Sequence, residues 1–288
     1  MTEGKKRVLG YTAYGLVALL VFAFLLFPSD AVREILESGA SRTYPGVEVH
    51  MGSVLPSPLF GLKMNDIIVD FKGERCLKAA YVRVAPSFSS LLGRGLSFSF
   101  GAGVFGGKIN GEFHMKGKSG SWKTGADLSG IRLDAMPFLK SIDYFSDIKG
   151  KVDGRVDAWD NGGEVELSTS AVLSDVALTL SRPAFSLDSA TFERVETVVS
   201  VKPGLVSIKK CVASGGQLDG ELSGSIAVMQ PYGRSRLNIK GFVKPKADLV
   251  AALGRSLPVD ILLGKDAGEK GFPVYLGGTL GNPSFSIR

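Results

Sequence analysis

The sequence predicts a mainly β chain behind a single N-terminal transmembrane helix, with a few short helices. Three observations predict it: an uncharged apolar run near the N-terminus, short segments of apolar–polar alternation after it, and glycines that punctuate those segments.

The apolar run comes first. Lys5, Lys6 and Arg7 form a basic cluster, and from Val8 to Phe27, through Leu16 and Leu20, no residue is charged. A helix of about 20 residues is ~30 Å long, which matches a bilayer's hydrocarbon core. Pro28 ends it. The positive cluster precedes the span, and Asp30, Arg33 and Glu34 follow without basic excess, so the positive-inside rule keeps the N-terminus cytoplasmic and exports the rest. A cleaved signal peptide has a shorter apolar region ending in small residues. Here the span ends Leu25-Leu26-Phe27-Pro28-Ser29-Asp30, with no such site. Val32-Ile35-Leu36 predicts a short helix leaving the membrane. The expected organisation is a cytoplasmic tail (1–7), a span (8–27), a neck (28–45) and an exported β-rich domain (46–288).

The net charge of +6 raises nucleic acid as a partner. The basic residues are spread rather than striped, and an exported body does not meet nucleic acid. Two cysteines, Cys76 and Cys211, occur. An oxidising compartment permits a bridge between them, but two cysteines so far apart need only chance to explain them, and buried apolar cysteine is common.

The 37 glycines in 288 residues exceed the usual ~7% and separate strand-like segments. These include Ile67-Val69-Phe71, Leu96-Phe98-Phe100, Val152-Val156-Ala158, Leu167-Thr169-Ala171, Val195-Val199-Val201 and Leu237-Ile239-Gly241-Val243. Helical periodicity is limited to the neck and to Lys246–Arg255, with a turn or two at Ser87–Leu92 and Met136–Tyr144.

Three segments share a pattern of Gly, polar, aliphatic, Asn or Asp, Gly, charged, apolar. They begin at Gly107, Gly150 and Gly216. Asn110-Gly111, Asp153-Gly154 and Asp219-Gly220 each have the composition of a type I′ hairpin turn. A turn there would pair Ile109 with Glu112, Val152 with Arg155 and Leu218 with Glu221, mixing both faces. Run straight through, Gly107, Ile109, Gly111, Phe113 and Met115 share one face, as do Leu218, Gly220, Leu222, Gly224 and Ile226. The straight strand is therefore predicted. Glycines on the apolar side serve either tight curvature and close approach, or accommodation of bulky residues from a facing sheet.

Catalytic motifs fail on context. Gly101, Gly103 and Gly106 form a G-x-G-x-x-G string, but a strand and not a helix is predicted to follow. The Gly111 to Gly117-Lys118-Ser119 stretch has the wrong spacer for a phosphate loop. His50 and His114 are far apart, without ligands at metal spacing, and His114 falls on the polar side of its strand. No catalytic residue, metal or cofactor is assigned.

The order of several short motifs resembles a known group. They are Val84-Ala85-Pro86-Ser87-Phe88-Ser89-Ser90-Leu91-Leu92, Phe105-Gly106-Gly107-Lys108-Ile109-Asn110-Gly111, Gly215-Gly216-Gln217-Leu218-Asp219-Gly220, and the closing Phe272-Pro273-Val274-Tyr275-Leu276-Gly277-Gly278-Thr279-Leu280-Gly281-Asn282-Pro283-Ser284-Phe285. Together they resemble the AsmA-like envelope proteins and, within them, the type II secretion system protein N family. The resemblance implies a single-pass bacterial inner-membrane protein with a periplasmic, curled, groove-forming antiparallel sheet. It also implies a non-catalytic role in type II protein secretion beside other inner-membrane components, or phospholipid binding and transfer unconnected to secretion. On that expectation Ile109, Phe113, Val152, Val156, Leu218, Leu222 and Ile226 line one apolar surface, either an open lipid groove or a closed core.

Overall fold

A computed structural model of the chain describes residues 11–287 apart from positions 13, 16–17, 19–20 and 23 and the segments 58–60, 88–94, 116–119, 138, 140–144, 161–162, 185–186, 247–248 and 250–270. The chain divides into two compact units, Met1–Pro86 and Ser87–Arg288.

In the first unit the described positions from Tyr11 to Leu25 are helical. Among the described residues no helix is long and apolar enough to cross a membrane. Of the predicted anchor, Val8, Leu16 and Leu20 lie outside the described residues, as do Lys5, Lys6 and Arg7, while Phe27 sits just past the helical positions. Helix α1 (Ser29–Thr43) begins directly after Pro28 and runs well beyond the expected Val32–Leu36. Its C-terminal residues include Ser38, Ser41 and Thr43, whose hydroxyls bond back to carbonyls three or four residues earlier. These hydroxyls do not interrupt the helix even though they lack its apolar periodicity.

Helix α1 lies against strand β1 (Val47–Ser57), which pairs with β2 (Gly61–Phe71), and β2 pairs with β3 (Glu74–Pro86). The Glu37 carboxylate accepts the Met51 N–H at 2.6 Å, and the Arg33 guanidinium donates to the Gly52 carbonyl at 3.4 Å. Two backbone groups of β1 are thereby occupied by a helix, one of the ways a protein blunts a strand edge. Val49, Val69 and Leu77 face one another across the three strands, as do Met51, Ile67 and Ala79. Val54, Ile67 and Ala79 are buried. The β2–β3 connection is Lys72-Gly73 with φ of 51° and 82°, the backbone of a type I′ turn.

The second unit holds β4 (Leu96–Val104), β5 (Gly107–Met115), β6 (Trp122–Arg132), β7 (Phe145–Asp160), β8 (Val165–Ala184), β9 (Leu187–Lys202), β10 (Leu205–Ser214), β11 (Leu218–Ala227), β12 (Arg236–Pro245), β13 (Phe272–Thr279) and β14 (Asn282–Ile287). Each pairs antiparallel with the next. Among the described residues β4 and β14 do not pair with each other, so the meander is not closed into a barrel. All the segments read as strands are strands. The three glycine-patterned segments run straight, inside β5, inside β7 and into β11. The two-residue turn lies instead at Phe105-Gly106, with φ of 48° and 76°. That placement puts Gly101 and Gly103 in β4 and starts a strand, not a helix, after Gly106. A 3-10 turn covers Leu133–Ala135. Of the expected helix Lys246–Arg255, Leu249 is helical and buried, and Lys246 precedes it without regular structure. The rest of that segment, like most of Ser87–Leu92 and Met136–Tyr144, lies outside the described residues.

Candidate functional site

The register of the second unit sorts its side chains into two faces. One row crosses Phe100, Gly111, Ala126, Val156, Thr169, Val199, Ile208, Gly224, Ile239 and Leu276. A second crosses Phe98, Phe113, Thr124, Ala158, Leu167, Val201, Val206, Ile226 and Leu237. All seven residues expected to share an apolar surface do share it: Ile109 and Phe113 on β5, Val152 and Val156 on β7, and Leu218, Leu222 and Ile226 on β11.

Bulges preserve this face while the sheet bends. An extra residue enters β6 between Leu128 and Ile131, β8 between Leu173 and Val176, and β10 between Ile208 and Cys211. In each case the flanking apolar residues stay on one side and the inserted position falls among polar residues. Bulges increase local twist and bending.

The glycines on the apolar side answer the question left open by the sequence. A Cβ on Gly154 would lie 2.8 Å from the Ala171 Cα, and one on Gly241 would lie 2.8 Å from the Leu222 Cα and run into the Glu221 carbonyl. The obstructing atoms are backbone of the neighbouring strand, not side chains of a facing sheet. The sheet is bent toward its apolar face at these positions. Nor is that face a closed core: all seven lining residues are half-buried. Among the described residues the only large side chain below 2% exposure is Val54, in the other unit. Closed cores bury such side chains completely.

The face is not uniform along the strands. At one end Ile131, Leu133 and Val176 are buried, and a cavity of about 320 Å³ is lined by Leu133, Leu139, Phe145 and Ile148 with Asp134 and Asp147. At the other end Phe98 stacks on Phe113 with centroids 4.8 Å apart, and Phe113 on Trp122 at 5.8 Å. Sequence reasoning missed this aromatic end. Its signal was the alternation Trp122-Thr124-Ala126-Leu128, obscured by the small and hydroxylated residues between the large ones.

The opposite face is polar and salt-linked. Arg155 reaches Asp127 and Asp157 at 3.1 Å each, Arg194 reaches Glu196 at 2.9 Å, and Lys202 reaches Glu166 at 3.2 Å. Asp157 and Asp127 raise the Arg155 guanidinium pKa above its ordinary value, and Arg194 with Lys210 lowers that of the Glu196 carboxyl. A concavity of about 430 Å³ lies among Asp127, Asp153, Arg155, Glu196 and Lys210. His114 is on this face, 3.1 Å from Ser97 Oγ and 3.2 Å from Glu112 Oε2. Among the described residues no group of His, Cys, Asp and Glu is arranged to hold a metal ion.

Both cysteines are free thiols. Cys76 is exposed, whereas Cys211 lies on the apolar face between Thr197 and Leu222. Burial raises the Cys211 thiol pKa, opposed by a hydrogen bond with Thr197. A maleimide at neutral pH should therefore label Cys76 at least about tenfold faster than Cys211, since the thiolate is the nucleophile. Mass spectrometry of the time course checks this.

No family model matches the chain, and no curated protein or solved structure matches it either.

Proposed function

We propose that this chain is a non-catalytic, membrane-anchored protein of the bacterial envelope that takes acyl chains on the apolar face of its periplasmic sheet. The observation that carries the reading is the continuous apolar face of β4–β13, on which the seven residues named above are only half-buried. Moving an acyl chain out of a bilayer costs about 0.8 kcal/mol per CH₂, so a diacyl lipid needs on the order of 20 kcal/mol of replacement contact. A predominantly apolar face of this extent supplies contact of that kind.

The anchor is supported by the sequence from Val8 to Phe27 and by the exposure of its described apolar positions. Tyr11, Tyr14, Phe22, Phe24, Leu25 and Leu26 are 57–77% exposed, the state of helix residues that lipid rather than protein covers. On this reading the anchor lies in the inner membrane with the C-terminal body in the periplasm. The motif resemblance supports work as an accessory of type II secretion beside other inner-membrane components. Phospholipid transfer without any secretion role is the second reading, and the same bent face favours it. Affinity purification separates the two: secretion inner-membrane components accompany the chain in the first, phospholipid alone in the second.

The two tryptophans of the chain test the lipid face directly. Trp122 stacks on Phe113, on the apolar side, while Trp159 pairs with Lys123 and Glu166 in a row of the polar side. Lipid with brominated acyl chains should quench Trp122 in a Trp159→Phe protein and leave Trp159 unquenched in a Trp122→Phe protein. Equal quenching of both, or of neither, rejects the assignment.

A further inference from the structure

We infer that Lys63 and Arg83 dock the first unit on the headgroup layer of the membrane that holds the anchor, taking the phosphate of an anionic phospholipid between them; this rests on the anchored reading above. Lys63 of β2 and Arg83 of β3 are directly opposite each other, in a row that Leu55 of β1 begins. Like charges so placed repel. Another pair of cations, Arg132 and Lys151, faces across β6 and β7, and there Asp134 binds Arg132. In the first unit the ion pairs are Asp30 with Arg33 and Asp70 with Arg75, so neither Lys63 nor Arg83 has a carboxylate partner among the described residues. Beyond these two cations, β1 from Ser53, β2 up to Asn65 and β3 from Tyr81 carry no charge, and the flanking sequence at 58–60 and 88–94 contains no Asp or Glu. The pair is left to an anion from outside the chain, and a guanidinium fork beside an ammonium suits phosphate.

The pair is level with the bilayer surface. Helix α1 and β1 run antiparallel, since Glu37 meets Met51 and Arg33 meets Gly52. Back from Glu37 to Pro28 the helix covers about 13 Å, and on from Met51 to Leu55 the strand covers about 13 Å. The row of Leu55, Lys63 and Arg83 therefore lies at the height of Pro28, where the apolar run ends. Its surroundings suit that boundary. Leu55 is 45% exposed, and the Lys63 ammonium stands over the Tyr81 ring, 6.0 Å from its centroid. Tyrosine and the long stem of lysine are both at home at the headgroup level. The carboxylates are placed elsewhere. Glu48, Asp70 and Glu74 are at the far end of the three strands, and Asp66 is on the other side of β2 from Lys63. Helix α1 lies against β1, which separates Asp30 and Glu34 at the helix start from the pair.

The experiment is lysine acetylation of the full chain in nanodiscs of phosphatidylcholine alone and, separately, of phosphatidylcholine mixed with phosphatidylglycerol, read residue by residue by mass spectrometry. Lys63 should react at least about fivefold more slowly in the mixed discs, the factor a cation gains beside an anionic leaflet. Lys72, exposed in the turn at the other end of β2 and β3, should react equally in both. In Arg83→Gln, a change at an exposed position, the two Lys63 rates should come within about twofold, because one exposed cation holds an anion weakly. Equal Lys63 rates in the two discs overturn the docking, and full protection in Arg83→Gln removes Arg83 from it. Equal protection by inorganic phosphate in phosphatidylcholine discs makes the pair a site for a free anion and overturns docking on the bilayer. A chain that does not enter nanodiscs at all overturns the anchored reading itself, and the docking with it.

Discussion

Gly241→Ala should lower the stability of the second unit by about 2–4 kcal/mol, the cost of forcing atoms into backbone that must move to admit them. Gly241 is on β12, on the apolar side, opposite Leu222 of β11 and Val274 of β13. A methyl there meets the Glu221 carbonyl and lies 2.8 Å from both the Glu221 carbonyl carbon and the Leu222 Cα. No rotamer relieves this, because both the methyl and its obstacle are fixed to main chain. The strands must part, and the hydrogen bonds between β11 and β12 lengthen. Gly216→Ala is the control: nothing lies within 4 Å of its Cβ position, so the change should stay within about 0.5 kcal/mol. Urea unfolding of the two variants, followed by circular dichroism, gives the comparison. An unchanged midpoint for Gly241→Ala would show that β12 has room, and that the bend toward the apolar face has another origin.

Much of this architecture was legible because a strand's faces alternate with a fixed period of two. Alternation alone puts Ile109 and Phe113 on one side of their strand and Leu222 and Ile226 on one side of theirs, and the register brings the two pairs onto the same face. The same arithmetic identified Asn110-Gly111 as strand rather than turn, since a turn would have set Ile109 against Glu112. What alternation does not contain is the partner of each strand, so it left the glycines ambiguous between a bent sheet and a facing one. Gly154 and Gly241 became interpretable only when the atoms beside them proved to be backbone of the next strand. Bulges were equally hidden. The Lys209-Lys210 pair interrupts the alternation of β10, and the strand absorbs it as a bulge and continues. The hold of Glu37 on the Met51 N–H was out of reach for a different reason. It joins a helix side chain to a strand backbone, and no periodicity records such a contact. The aromatic end was legible in part: Phe98 and Phe113 both lay in recognised alternations, but their stacking with each other and with Trp122 depends on strand order.

Val156→Asp should abolish acyl-chain binding, by at least about tenfold in affinity, while the protein still folds. Val156 is on β7 between Ala126 of β6 and Thr169 of β8, in the middle row of the apolar face, and it is half-buried. In the lipid-free protein an aspartate at that position keeps access to water, so the cost to folding is small. With acyl chains over the face that access is lost, and an ionised carboxylate placed against hydrocarbon without a partner costs several kcal/mol. Aspartate is also too short to carry its charge to the rim, as a lysine or arginine stem does. The matched control is Ser170→Asp, on the exposed polar side opposite Arg155, where a new carboxylate joins existing ion pairs and lipid binding should not change. Native mass spectrometry of phospholipid retained by each purified variant, with circular dichroism to establish folding, reads the outcome. Lipid retained by a folded Val156→Asp protein at the wild-type level would remove the apolar face from the binding site. Loss in both variants would place the lipid on the polar face instead, where a carboxylate beside Arg155 competes with phosphate for the guanidinium.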